Sequence, residues 1–292
     1  VRDAAGACYV VFTQTRCSGA GCPSTPTYQN REVVIARSLD CDTSWQQFLL
    51  FSSAVAGTEY LYPSIDLSDD RQTLHVVAYS TTPSAVLYTQ NASLSGTGWS
   101  TADSWKRAGG IDPTPGAVDY DTIATALSGP PVVAVAPDGR SHVVYVDADA
   151  SSRPNVFHTR DAGAWTPPVN LSLVTTGLPA NLPSALDPSI DVANGYLHVL
   201  FKDDSLPGDA SPTTDRYRYA RNTGPDNFTT WNAPVTTIQR GSVSAARPGS
   251  LAAYGRRVFA VGGYNALNEY GWHNVSADDG ASWSQGATGA IF

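Results

Sequence analysis

Short apolar runs, some alternating with polar residues and some continuous, recur along the whole chain and are separated by clusters of Gly, Pro, Asp, Ser and Thr. That punctuation predicts short β-strands joined by turns. The runs also repeat. Pro63-Ser-Ile-Asp-Leu67 precedes Leu74-His-Val-Val-Ala-Tyr79, and Pro131-Val-Val-Ala-Val135 precedes His142-Val-Val-Tyr-Val146. Pro188-Ser-Ile-Asp-Val192 precedes Leu197-His-Val-Leu-Phe201, and Pro248-Gly-Ser-Leu-Ala252 precedes Val258-Phe-Ala-Val261. Each unit continues with a loop, an alternating strand such as Val86-Leu-Tyr-Thr89 or Tyr217-Arg-Tyr-Ala220, a polar turn and a tryptophan. Trp45, Trp99, Trp165, Trp231 and Trp283 hold this register; Trp105 and Trp272 do not.

A meander of about four short strands cannot bury both its faces alone, whereas radial stacking of such sheets can. The prediction is an all-β fold, a β-propeller of five blades with four antiparallel strands each, six blades being the alternative count. The expected blades are 1–58, 59–126, 127–183, 184–243 and 244–292, in a single domain. The Pro-x-Ile-Asp strand is expected innermost, the Leu-His-Val-Val strand second, and the recurring Trp between neighbouring sheets. The first unit has no Pro-x-Ile-Asp strand, so the C-terminal tail, Thr288 to Phe292, is expected to supply it. The insertion from Thr101 to Gly129 is long enough to hold extra strands.

Composition sharpens this picture. Of 26 acidic residues only three are Glu (Glu32, Glu59, Glu269), and of 18 basic ones only two are Lys (Lys106, Lys202). Helix surfaces favour Glu and Lys, while Asp favours turns; with 25 Gly and 20 Pro the balance is again all-β. The net charge of −8 without a basic cluster argues against nucleic acid as a partner. No apolar run is long enough for a membrane-spanning helix. Cys8, Cys17, Cys22 and Cys41 crowd the first 41 residues without the paired spacing of a structural zinc site. They are read as two disulfides of open connectivity, formed in an oxidising compartment. The chain starts at Val1 and has no Met, which reads as a mature or trimmed product, secreted or at the cell surface, or part of a larger protein. Four sequons, at Asn91, Asn170, Asn227 and Asn274, matter where a glycosylating secretory route is used.

The last unit carries Ser276-Ala-Asp278-Asp279-Gly280-Ala-Ser282-Trp283. This resembles the Asp-box of sialidase-like β-propellers, Ser-x-Asp-x-Gly-x-Ser/Thr-Trp. The other units hold degraded versions, among them Ser38-Leu-Asp40-Cys-Asp-Thr-Ser44-Trp45 and Arg160-Asp161-Ala-Gly163-Ala-Trp165. The resemblance implies a structural turn between the third and outermost strands, on the side away from the functional face. Ser276, Asp278, Gly280 and Trp283 are therefore assigned to architecture.

Function is expected on the opposite face, where long variable loops converge. Tyr28, Tyr62, Trp105, Tyr120 and Tyr264, with Tyr60, are exposed-aromatic candidates for stacking on sugars beside loop carboxylates. A sialidase resemblance implies three arginines gripping a carboxylate, an Asp acid/base and a Tyr nucleophile assisted by Glu. Arg247 is the nearest channel arginine, with Arg216 and Arg218 as companions, and Glu269 adjoins Tyr270. An arabinanase-like five-bladed hydrolase would use Asp66, Asp187 and Asp191 on or beside innermost strands, with Glu269 as acid. Asp66 and Asp191 occupy equivalent repeat positions, which favours a hydrogen-bonding role over chemistry. Asp147 with Asp149, and Asp203 with Asp204, are oxygen-donor pairs suited to calcium; no cofactor is required. The favoured reading is an extracellular binding or assembly module that recognises a carbohydrate or a protein partner. The competing reading is a glycoside hydrolase working through channel carboxylates.

Overall fold

The computed structural model describes residues 1–15, 31–53, 57–108, 117–125, 129–150, 152, 154–174, 185–203, 216–232, 235–239, 249–264, 270–285 and 289–290. They form an all-β fold of the β-propeller class, with five sheets of antiparallel strands in chain order. The first sheet is β1 (Cys8–Thr15), β2 (Arg31–Ser38) and β3 (Gln46–Phe51). The second is β4 (Tyr60–Leu67), β5 (Leu74–Thr81), β6 (Ser84–Asn91) and β7 (Asp121–Thr125). The third is β8 (Val132–Val135), β9 (Ser141–Ala148), β10 (Pro154–Arg160) and β11 (Val169–Asn170), followed by the single helical turn α1 (Leu171–Val174). The fourth is β12 (Ala185–Ala193), β13 (Tyr196–Asp203), β14 (Arg216–Gly224), β15 (Asn227–Trp231) and β16 (Val235–Gln239). The fifth is β17 (Ser250–Tyr254), β18 (Arg257–Tyr264), β19 (Tyr270–Ser276), β20 (Ser284–Gln285) and β21 (Gly289–Ala290).

The chain divides into two compact units, Val1–Val143 with Arg160–Thr166, and Val144–Thr159 with Pro167–Phe292. In the first unit the Leu-His-Val-Val strand β5 is buried along almost its whole length, as a strand covered on both faces should be. Its His75 Nδ1 lies 2.7 Å from the Tyr88 hydroxyl of β6 and 2.8 Å from the Ser141 hydroxyl of β9. Tyr88 in turn meets Trp165 edge-on, with centroids 4.9 Å apart. Cys8 at the start of β1 is bonded to Cys41 in the turn after β2. Cys17 and Cys22 lie outside the described residues.

The second unit repeats the same contacts with different side chains. His198 Nδ1 of β13 lies 2.6 Å from the Tyr219 hydroxyl of β14, and Tyr219 meets Trp283 edge-on at 4.8 Å. His158 meets Trp231 at 5.0 Å. The recurring indole thus docks on the third strand of the preceding sheet, the inter-sheet role that the repeat predicts. Edge-to-face aromatic pairs at this separation are worth about 0.5–1.5 kcal/mol beyond their burial.

One expectation is corrected. The C-terminal tail does not complete the first sheet: Gly289 and Ala290 pair with Gly271 and Tyr270 of β19, continuing the outer edge that β20 begins. The first sheet has three strands among the described residues. The insertion from Thr101 to Gly129 does hold a strand: among its described residues are a 3₁₀ turn (102–104), which follows another at 98–100, and β7, the outer strand of the second sheet. No helix among the described residues is long and apolar enough to cross a membrane.

Candidate functional site

The two Pro-Ser-Ile-Asp strands show what their polar residues do. In the first unit the Ser64 hydroxyl accepts the Val133 N–H at 3.3 Å, and Asp66 Oδ2 accepts the Val135 N–H at 2.8 Å. In the second, Ser189 accepts the Leu251 N–H at 3.0 Å and Asp191 Oδ2 accepts the Ala253 N–H at 2.6 Å. Both pairs fasten one innermost strand to the next, β4 to β8 and β12 to β17. Burial pushes the Asp191 carboxyl up, against the N–H groups of Ala253 and Val192 that favour its charged form. Replacing Asp191 by Ala should leave the Ala253 N–H without this acceptor and lower the unfolding free energy by about 1–3 kcal/mol, measured by urea denaturation. A loss below a few tenths would remove the clamp assignment.

The residue just before each of these prolines is the unusual one. Tyr62 and Asp187 both have φ of +51°. Each sits in an irregularity where the strand register slips, between Leu61 and Ser64 and between Leu186 and Ser189. A left-handed backbone is costly for any residue with a side chain, and a following proline favours extended geometry instead. Strain of this kind, about 1–3 kcal/mol, concentrates at functional positions. Tyr62 is 45% exposed and Asp187 is half-buried. Two independent sheets therefore present an aromatic ring and a carboxyl by the same backbone device.

In the first unit Phe51 packs against Tyr60 and Tyr120, with centroids 5.9 and 5.8 Å away. Tyr120 is 39% exposed, while burial, reinforced by Tyr120, raises the Tyr60 phenol. Trp105 is corrected: it is fully buried in the core, its Nε1–H donating to the Trp99 carbonyl at 3.0 Å, and so cannot stack on a ligand. Its place off the tryptophan register and in a long insertion suggested a loop ring, but the 3₁₀ turns fold it inward.

Asp147 accepts the Ala148 N–H at 2.7 Å, and burial pushes its carboxyl up. Asp149 follows it at the exit of β9. Among the described residues no three or more His, Cys, Asp or Glu side chains gather to hold a metal ion. Tyr28, Asp204, Arg247 and Glu269 lie outside the described residues, as do the side chains of Asp203, Arg216 and Tyr264. Arg218, the other proposed companion, is buried in β14.

The turn at Ser276–Trp283 is a closed hydrogen-bond set. Asp278 accepts from the Ser276 hydroxyl at 2.7 Å, the Ser282 N–H at 2.9 Å and the Ser282 hydroxyl at 2.6 Å. These bonds, led by the Ser282 hydroxyl, lower its pKa to about 2. Asp40 in the first sheet is held the same way by Ser38, Asp42 and Thr43, and the Ser38 hydroxyl leads in holding it well below the carboxylate range. A second family of staples escaped the sequence reading: Asp70 accepts from Ser68 and Gln72 in the turn between β4 and β5. The Ser-x-Asp spacing was its signal.

No protein-family model matches the chain, and no curated protein matches it in sequence. Solved structures do match it in shape. A PL25 ulvan lyase bound to -[GlcA(1-4)Rha3S]- is similar with a TM-score of 0.55 at 12% identity, covering 99% of this chain and 68% of its own. The polysaccharide lyase Uly1 gives a TM-score of 0.54 at 11% identity, over 97% of this chain and 71% of its own. An α-L-arabinofuranosidase from Podospora anserina gives 0.43 at 15%, over 77% of this chain and 66% of its own. The chain thus spans about two-thirds of the length of such structures. The preference for a non-catalytic binding or assembly module is corrected here: the two matches above a TM-score of 0.5 are polysaccharide lyases, which favours the enzymatic alternative.

Proposed function

We propose that the chain is the propeller of a secreted polysaccharide-cleaving enzyme. The observation that carries this reading is the shape match over nearly its whole length to enzymes that cleave polysaccharides. The residue to which we assign chemistry is Asp187, a half-buried carboxyl held in a strained bulge at the mouth of an innermost strand. A carboxyl in that position can pass a proton to or from a glycosidic oxygen or a neighbouring carbon acid. Asp66 and Asp191 stay with the inter-strand clamps. Sialidase-type chemistry is the narrower reading, supported by the Ser276–Trp283 turn alone.

The test is a panel of neutral, uronate-bearing and sulfated polysaccharides. New reducing ends report any cleavage, and ultraviolet absorbance of an unsaturated product separates elimination from hydrolysis. Asp187→Asn should lower kcat by roughly 10²–10⁴-fold with an unchanged melting temperature. Full activity in that variant would remove Asp187 from the chemistry, and inertness of the parent chain toward the whole panel would remove the enzyme.

A further inference from the structure

The four sequons are not equivalent in the fold. The Asn91 side chain is buried, donating from Nδ2 to the Gly98 carbonyl at 3.2 Å and accepting the Ser93 N–H at 2.7 Å. Asn274 is buried within β19. Asn170 is half-buried in β11, paired with Phe157 of β10. Asn227 alone of the four is exposed, at the first residue of β15, where a hairpin turn ends. Its carboxamide is already arranged: Oδ1 accepts the Thr229 hydroxyl at 2.9 Å and the Thr229 N–H at 3.4 Å. Between them Phe228 is buried and anchors the strand, while Asn227 and Thr229 face solvent.

We propose that Asn227 is a modification site, the acceptor of an N-linked oligosaccharide when the chain passes through a glycosylating secretory compartment. The co-reactant is a lipid-pyrophosphate-linked oligosaccharide, used by a membrane transferase. The Asn227 amide nitrogen forms a bond to the anomeric carbon, the bond from that carbon to pyrophosphate breaks, and the lipid pyrophosphate leaves. The displaced amide proton goes to a base of the transferase. A glycan on Asn91 or Asn274 would have to be packed inside a sheet, so chains modified there would fail to fold. The Pro225–Asn227 turn is tied to the turn between β12 and β13 by the Asp226 N–H donating to the Gly195 carbonyl at 2.8 Å. The glycan would project from that edge, roughly 20 Å along the strand from Asp187.

The test is secretion of the full chain from a eukaryotic host, with peptide mapping before and after enzymatic removal of N-glycans. The expected result is one glycan, on Asn227. Asn227→Gln and Thr229→Ala should each abolish the mass shift, and Thr229→Ser should retain it, while all three variants keep the parent melting temperature to within a few degrees. An unshifted parent chain overturns the proposal. So does a folded, secreted product that carries its glycan on Asn91, Asn170 or Asn274.

Discussion

Acidification from pH 6.5 to 4.5 should cost this fold most of its stability. His75, His142 and His198 are buried at the same position of three successive repeats. Burial, the leading cause in each case, lowers their pKa values to about 4, 3 and 4. Arg160 adds to the effect at His142 and Arg221 at His198, whereas Asp70 opposes it at His75. An unfolded histidine titrates near 6.5, so below that pH the unfolded chain binds protons that the folded one refuses. Their contribution is therefore complete above about pH 6.5 and is lost as pH falls toward the folded values. Each group adds a slope of about 1.4 kcal/mol per pH unit, or about 4 for the three together. Because an unfolded histidine is only half protonated at pH 6.5, the slope builds up across the window, and the loss down to pH 4.5 comes to about 6 kcal/mol, within the range of a whole domain's stability. The raised carboxyls Asp147 and Asp191 take up protons in the folded state and soften the slope only near the carboxylate range. Urea unfolding at stepped pH should show this slope, and each single His→Gln variant should flatten it by about a third. Three variants with the parent slope would show that the acid sensitivity lies elsewhere.

The same histidines show how far the sequence could be read. Their recurrence at one repeat position beside apolar strand residues is itself the mark of a structural role, because periodicity records which face of a strand is covered. The fold class, the inner Pro-Ser-Ile-Asp strands and the inter-sheet tryptophans were legible for that reason: each is repeated. Features that occur once were not. Trp105 shares its composition with a sugar-stacking loop ring, and only the two 3₁₀ turns that fold it inward make it core. The C-terminal tail has strand character, but pairing partners are chosen by geometry distant in sequence, and it joined β19. Asp187 stood out as a carboxyl next to an innermost strand, yet the feature that distinguishes it from Asp191 is a backbone angle, which no residue type announces. Function was least legible, since a turn motif reports architecture while the residues that would decide the reaction change from blade to blade.

A single methyl group at Gly280 should unlock the seam between the fourth and fifth sheets. Gly280 has φ of +78°, its N–H donates to the Ser276 hydroxyl at 2.8 Å, and a Cβ there would fall on the ring and hydroxyl of Tyr219. Tyr219 cannot simply move aside. Its side chain is buried, its hydroxyl is bonded to His198, and its ring is edge-on to Trp283. Gly139 supplies the control: its φ is +79° but open space surrounds the same methyl position. Ala at Gly139 should therefore cost only the backbone strain of a left-handed residue, about 1–2 kcal/mol. Ala at Gly280 adds the displacement of a packed ring, about 1–3 kcal/mol, and the His198 bond, about 1 kcal/mol. A Gly280→Ala loss of about 3–6 kcal/mol is thus expected from urea denaturation at neutral pH. If both variants lose the same amount, backbone strain alone explains glycine here. If Gly280→Ala loses more, the turn is held against Tyr219 by contact, and the Asp278 hydrogen bonds serve to aim that contact.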